Sequence, residues 1–288
     1  MRTRNMISFD WAMKRLLRNK ANFEVLEGFL SELLRRKIMI KSIAESEGNK
    51  ENEDDKSNKV DILVEADDNE LVIIELQYYG YDDYFKRMLY GACKAVTDHM
   101  SKGLPFSNVR KVYSVNIVYF DLGTGDDYVY HGFNNFTGLH THTDLVLTDK
   151  QQKIYGKSIA GEVFPEYYLI KVSKFDEVAK DTLDEWIYYL KTGKIRDDFT
   201  AKGLDKAREL LAYDNLTDFE KKQHDRMITN RVDRDSEIIT AFTDGEYKGL
   251  EKVVINCHKA SQSIDTISTF TDLTAEQITR ILQRHNLL

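Results

Sequence analysis

Two carboxylates and an amide sit on neighbouring apolar segments of this chain, at a spacing that brings them together. Asp61 lies in Asn58-Lys59-Val60-Asp61-Ile62-Leu63-Val64, and Glu75 and Gln77 lie in Leu71-Val72-Ile73-Ile74-Glu75-Leu76-Gln77. Both segments are rich in β-branched and aliphatic residues, and the polar break between them is short, which predicts a β-hairpin. If the loop is Asp67 to Asn69, Ala66 closes against Glu70 and Asp61 falls opposite Glu75. Opposed residues share a face of a sheet, and Gln77 joins them because side chains two apart point the same way. Two carboxylates among aliphatic neighbours are costly unless a positive charge lies between them. A hard divalent cation, Mg²⁺ or Mn²⁺, is the simplest such partner. The competing reading is a solvated strand face, and the apolar residues on each side of both acids weigh against it.

The elements that would position these groups read as α/β. Residues 11–17 and 23–34 have apolar side chains at helical spacing, with Phe23, Leu26, Leu30, Leu33 and Leu34 on one stripe and Asn22 as N-cap. Residues 37–44 alternate as a strand ahead of the hairpin. Residues 82–100 predict a long helix with Phe85, Leu89, Cys93 and Val96 on its buried side. Residues 109–120 leave few polar positions and predict a central strand. Shorter strands are expected at 128–131, 144–147 and 167–172. After Lys174 the pattern turns helical at 179–191, 202–213 and 219–242, and then in three short helices over 246–288. The last of these includes a capping box at Thr274-Ala275-Glu276-Gln277. That final segment is compatible with helix-turn-helix, and equally with a small packing appendix.

The Asp, the apolar-flanked Glu-x-Gln and Phe85-Lys86-Arg87-Met88-Leu89-Tyr90 on the following helix resemble the PD-(D/E)XK nucleases. Within them the likeness is to the family's transposases, the recombination-promoting (Rpn-type) nucleases. Phe9-Asp10-Trp11-Ala12-Met13-Lys14 and Val25-Leu26-Glu27-Gly28-Phe29-Leu30 extend the likeness over about two-thirds of the chain. The resemblance implies a restriction-endonuclease-like core, a mixed central sheet flanked by helices, with a helical C-terminal extension. The corresponding division is 1–174 for the nuclease-like core, 175–245 for a helical extension and 246–288 for a small helical appendix. It also implies a metal-dependent DNA endonuclease linked to recombination or a mobile element. Asp61 and Glu75 would bind metal together with the backbone carbonyl of Leu76, and Glu27 would complete the acidic set. Gln77 stands where the family motif has lysine, so it can orient water but cannot neutralise charge. Arg87 would contact phosphate or pair with Glu75, Tyr90 would donate to phosphate or pack, and Lys59 shares the strand face of Asp61.

A net charge of −7 is unusual for a protein that binds nucleic acid. The distribution is more favourable. Residues 1–41 hold ten Lys/Arg against four acidic residues, a net +6, and Lys14 and Arg15 fall within this stretch beside the expected site. DNA is the expected partner, and a homodimer through the helical C-terminal third is a further option. Two cysteines and two prolines argue against a disulfide scaffold. Cys93 and Cys257 read as buried thiols. No apolar run approaches the ~20 residues of a membrane span, and residues 1–10 lack a signal-peptide core, so a cytoplasmic protein is expected. His131, His140 and His142 do not make a zinc pattern, and Gly123-Thr124-Gly125 lacks the lysine of a phosphate loop. A non-catalytic binding module that kept the fold is the alternative function, with Gln77 as its trace.

Overall fold

The two apolar segments form the expected hairpin at the centre of a mixed sheet. A computed structural model describes residues 11, 23–43, 62–101 and 103–288, which fall in two compact units, Met1–Leu216 and Thr217–Leu288. Six strands, β1 (Ile40–Ile43), β2 (Ile62–Ala66), β3 (Leu71–Gln77), β4 (Val112–Val118), β5 (Val129–Gly132) and β6 (Glu166–Lys171), form one sheet in the order β1-β2-β3-β4-β6-β5. The first three are antiparallel neighbours, β3, β4 and β6 run parallel, and β5 returns antiparallel on the edge. In the hairpin Ile62 pairs with Ile74, and Ala66 N–H donates to the Glu70 carbonyl at 2.9 Å across the 3₁₀ turn Asp67–Asn69. Residues 144–147, expected as a strand, make only the isolated bridges Thr137–Asp144 and Val146–Ile159.

Helices α1 (Glu24–Leu33), α2 (Tyr84–Asp98), α3 (Asp149–Tyr155), α4 (Thr182–Thr192) and α5 (Leu204–Leu210) accompany the sheet. Its two faces are buried by different partners. Val72, Ile74 and Leu76 enter the large core shared with α1, α4 and α5, whereas Leu71 and Ile73 meet Ala92 and Ala95 of α2. Glu75 and Gln77 have the parity of Leu71 and Ile73, so strand alternation sends them to the α2 side.

On α1, Gly28 allows a close approach to the segment leading into α5. A Cβ there would collide with the Lys202 carbonyl oxygen, which already accepts from Trp186 Nε1 at 3.2 Å, and would lie 2.8 Å from Gly203 Cα. Both obstacles are backbone and cannot swing aside. Gly28→Ala is therefore expected to destabilise the fold by about 1–3 kcal/mol, despite alanine's better helix propensity. Urea unfolding checks this, and an unchanged midpoint would mean that α1 can shift freely.

Helix α2 departs from its expected orientation. Tyr84, Met88, Ala92 and Ala95 face the sheet, while Phe85 and Leu89 are more than half exposed and Cys93 is also exposed. Small Ala92 and Ala95 let the helix lie close to β3 and β4, which turns the bulkier stripe outward.

At the starts of β3, β4 and β6, on the face opposite α2, a charged network crosses the sheet. Lys111 Nζ lies 2.8 Å from Glu166 Oε1, and His131 Nε2 lies 2.9 Å from Glu166 Oε2. Burial alone would raise the Glu166 pKa, but hydrogen bonds and charge from Lys111 and then His131 hold it below the ordinary glutamate value. A depressed carboxylate stabilises the fold above its unfolded pKa, about 4.3, and loses that contribution as pH falls through the folded value. Stability should therefore drop below about pH 4 more steeply in the wild type than in Glu166→Gln. Parallel slopes in denaturant titrations of the two proteins would remove this group from the acid transition.

The second unit contains α6 (Asp218–Lys259), α7 (Ile264–Thr271) and α8 (Ala275–Arg284). Helix α6 is a single element where the sequence predicts a break after residue 242. Gly245 and Gly249 sit on an open surface, where an added Cβ would meet nothing within 4 Å, so they weaken the helix without ending it. Val254, Ile267, Ile278, Ile281 and Leu282 form the core, with Ser263 and Thr274 as N-caps of α7 and α8. Arg284 pairs with Glu251 at 2.7 Å and Arg280 with Glu276, so the cations of α8 have partners within the unit.

Candidate active site

Strand β3 presents Glu75 and Gln77 near its C-terminal end, each half-buried, after four fully covered residues. Glu75 Oε2 is a buried atom. In the parallel register Glu75 pairs with Asn116 of β4, and Gln77 with Val118. Neighbouring strands lie about 4.8 Å apart, so Asn116 stands beside Glu75 on the α2 side. Asn116 is 1% exposed; its Nδ2 donates to the Ser114 carbonyl and Oγ, both at 3.0 Å. Tyr84 Oη, from the first turn of α2, donates to Asn116 Oδ1 at 3.3 Å.

Ser114, Asn116, Glu75 and Gln77 thus form a polar strip across two otherwise apolar central strands, with Tyr84 closing it from above. Buried polar groups are retained when their bonds are met, and Asn116 meets its own within the strip. Sequence reasoning passed over Ser114 and Asn116. Their signal was the two-residue alternation in Tyr113-Ser114-Val115-Asn116-Ile117, in phase with Glu75 and Gln77 on the adjoining strand.

Arg87 follows Tyr84 by one helical turn and is half-buried, with its guanidinium 5.8 Å from the centre of the Tyr81 ring. Tyr90, one turn on, is exposed. Tyr78 stacks on Tyr119 at 4.4 Å and Tyr84 meets Phe120 edge-on, so much of the tyrosine cluster packs the strand-to-helix corner. Leu76 is buried on the opposite side of β3, in the large core.

Glu27 lies on α1, on the other side of the sheet from Glu75. Its Oε1 accepts from Ile40 N–H at 2.8 Å, which ties α1 to the start of β1. Of the basic N-terminal stretch, Arg35 pairs with Asp181 at 2.6 Å and Arg36 with the buried Glu70. Asp61, Lys59, Lys14 and Arg15 lie outside the described residues, as do Asn22 and most of the helix expected at 11–17. Among the described residues no group of three or more His, Cys, Asp or Glu side chains is placed to hold a metal ion. Among them, too, no helix is long and apolar enough to cross a membrane.

A family model described as PD-(D/E)XK nuclease family transposase matches residues 7–241. The match takes in the hairpin, α2, the whole sheet and the first half of α6. No curated protein and no solved structure matches the chain.

Proposed function

Because the chain belongs to the PD-(D/E)XK nuclease family transposases, we propose that it is a metal-dependent DNA endonuclease hydrolysing phosphodiester bonds in recombination or at a mobile element. The observation that carries this reading is the polar strip: Glu75 and Gln77 share one face of a central strand with Asn116 beside them, in an interior where such groups need a purpose.

The donors suit a hard cation. Carboxylate oxygens of Asp61 and Glu75 and the Leu76 carbonyl are the ligand type that Mg²⁺ and Mn²⁺ prefer. When bound, such an ion supplies Lewis acidity and lowers the pKa of a coordinated water. The chain's own groups have separate tasks. Gln77 offers both a donor and an acceptor, which orients the attacking water without adding charge. Arg87 suits a phosphate oxygen pair through its planar fork, and Tyr90 donates a hydrogen bond at the same rim. Lys59, Lys14 and Arg15 contribute positive charge along the DNA backbone. Glu27, implied by the resemblance to complete the acidic set, instead accepts from Ile40 and keeps α1 seated against β1, on the side of the sheet away from Glu75.

Gln77 in place of lysine favours a second reading, a DNA-binding module with weak or no cleavage. Supercoiled plasmid incubated with Mg²⁺, Mn²⁺ or EDTA separates the two. Metal-dependent nicking by the wild type, lost in Asp61→Ala and Glu75→Ala proteins of unchanged circular dichroism, is expected. No cleavage by folded wild-type protein under either metal would leave the binding module.

A further inference from the structure

Residues 133–165 join β5 to β6 outside the sheet. Among their large apolar side chains only Leu147 is buried. Leu139 is 88% exposed, and Phe133, Leu145, Val146 and Ile154 are each more than half exposed. A single exposed side chain needs no explanation, but these belong to one small scaffold. The Thr137–Asp144 and Val146–Ile159 bridges, with Leu145 N–H donating to the Phe136 carbonyl at 2.8 Å, join 136–137, 144–147 and 158–160 into a short antiparallel ribbon. Successive residues of a ribbon point to opposite faces, so Leu145 and Val146 leave both faces open. The segment leaves the sheet from β5, beyond which no further strand lies among the described residues. Counted over both faces, its open apolar surface is on the order of 800 Å², against about 300–600 Å² for the largest patch of a typical monomer.

The charges narrow the choice of partner. Residues 133–147 hold no Lys or Arg, and Asp144, their one carboxylate, already accepts from Asn135 Nδ2 at 3.0 Å. Over 133–165 three Lys stand against Asp144, Asp149 and Glu162, a net charge of zero. Of these, Lys157 pairs with Glu70, and Glu162 accepts from the Ser158 and Ile159 N–H groups. Phosphates of nucleic acid or of an anionic lipid surface therefore find no basic patch here. A second copy meets a different condition. Across a two-fold axis a surface faces itself, so like charges would oppose one another, and a surface without net charge escapes that penalty. The area agrees, since about 800 Å² per partner is the size of a standard specific interface. We infer that residues 133–165 are a self-association arm, and that the arms of two copies of this chain clasp each other in a two-fold dimer. The inference concerns assembly and does not rest on the reaction proposed above.

Sedimentation equilibrium of the full chain over about 1 to 100 μM tests this. A species of twice 33.5 kDa is expected. Its dissociation constant should rise at least about 100-fold in Leu145→Glu/Val146→Glu, which puts one carboxylate on each face of the ribbon. Both side chains are already exposed in the single chain, so circular dichroism should not change. Hydrogen exchange of the unsubstituted protein gives a second readout. Amides of residues 136–147 should gain protection as rising concentration carries the chain into the dimer. A monomer throughout, a dimer indifferent to the double substitution, or a dimer that leaves these amides no better protected overturns the inference.

Discussion

Glu75→Gln is expected to lower metal-supported cleavage by at least about 10³-fold, a loss of about 4 kcal/mol of transition-state stabilisation. The substitution keeps the shape and one oxygen and removes the charge. A neutral amide is a poor ligand for a hard divalent cation, so the loss should appear as a raised Mn²⁺ requirement as well as a lower maximal rate. The fold should tolerate it. Glu75 sits near the end of β3, half-buried, with Oε2 a buried atom. Removing a charge from aliphatic surroundings lowers a desolvation cost, so the metal-free variant should melt at or above the wild-type temperature. Lost activity with undiminished stability identifies a carboxylate kept for function. If both fall together, Glu75 is structural, and if cleavage persists, the reactive site lies elsewhere.

The hairpin was readable because strand alternation leaves little freedom of register. Ile62, Val64 and Ala66 must share a face with Val72, Ile74 and Leu76, and a slip of one residue would turn every one of them outward. The acidic and amide groups then follow from position alone. Strand β4 was readable for its apolar content, yet the same content hid Ser114 and Asn116, since a run that is buried on both faces obscures its own alternation.

Helix α2 shows why apolar size is a poor guide to orientation against a sheet. Phe85, Leu89 and Cys93 make the more hydrophobic stripe, but close packing on β3 and β4 favours Ala92 and Ala95, and Tyr84 reaches inward because Asn116 receives its hydroxyl. Neither reason is local to the helix. The continuity of α6 was hidden for a related reason. The sequence pattern ends this helix at residue 242, whereas it runs to Lys259 through Gly245 and Gly249, each of which costs only about 1 kcal/mol relative to alanine. The partner of Glu27 was also beyond local reading, because its Ile40 contact joins elements that only the folded sheet brings together.

Glu70→Ala is expected to destabilise the protein by about 3–5 kcal/mol while leaving the reaction of the folded molecules unchanged. By sequence Glu70 is the first residue after a polar turn and ought to be solvated. In the fold it is 3% exposed. Arg36 pairs with its Oε2, Lys157 Nζ lies 3.2 Å from its Oε1, and the Tyr113 hydroxyl approaches that oxygen at 3.4 Å. Burial pulls the Arg36 pKa down, and the charge and hydrogen bond of Glu70 more than reverse it, so the guanidinium relies on this one carboxylate. Truncation leaves Arg36 and Lys157 without the carboxylate that both pair with. The cost is that of stranding charges, so removing Arg36 as well should return part of it. Arg36→Met/Glu70→Met is accordingly expected to be more stable than Glu70→Ala. Glu70 and Glu75 lie at opposite ends of β3 and on opposite sides of the sheet, which is why cleavage at temperatures below the transition should not change. Urea unfolding of the three proteins decides it. A Glu70→Ala loss under about 1 kcal/mol would mean that water reaches Arg36 and Lys157 readily, and that the network orders the sheet end without stabilising it.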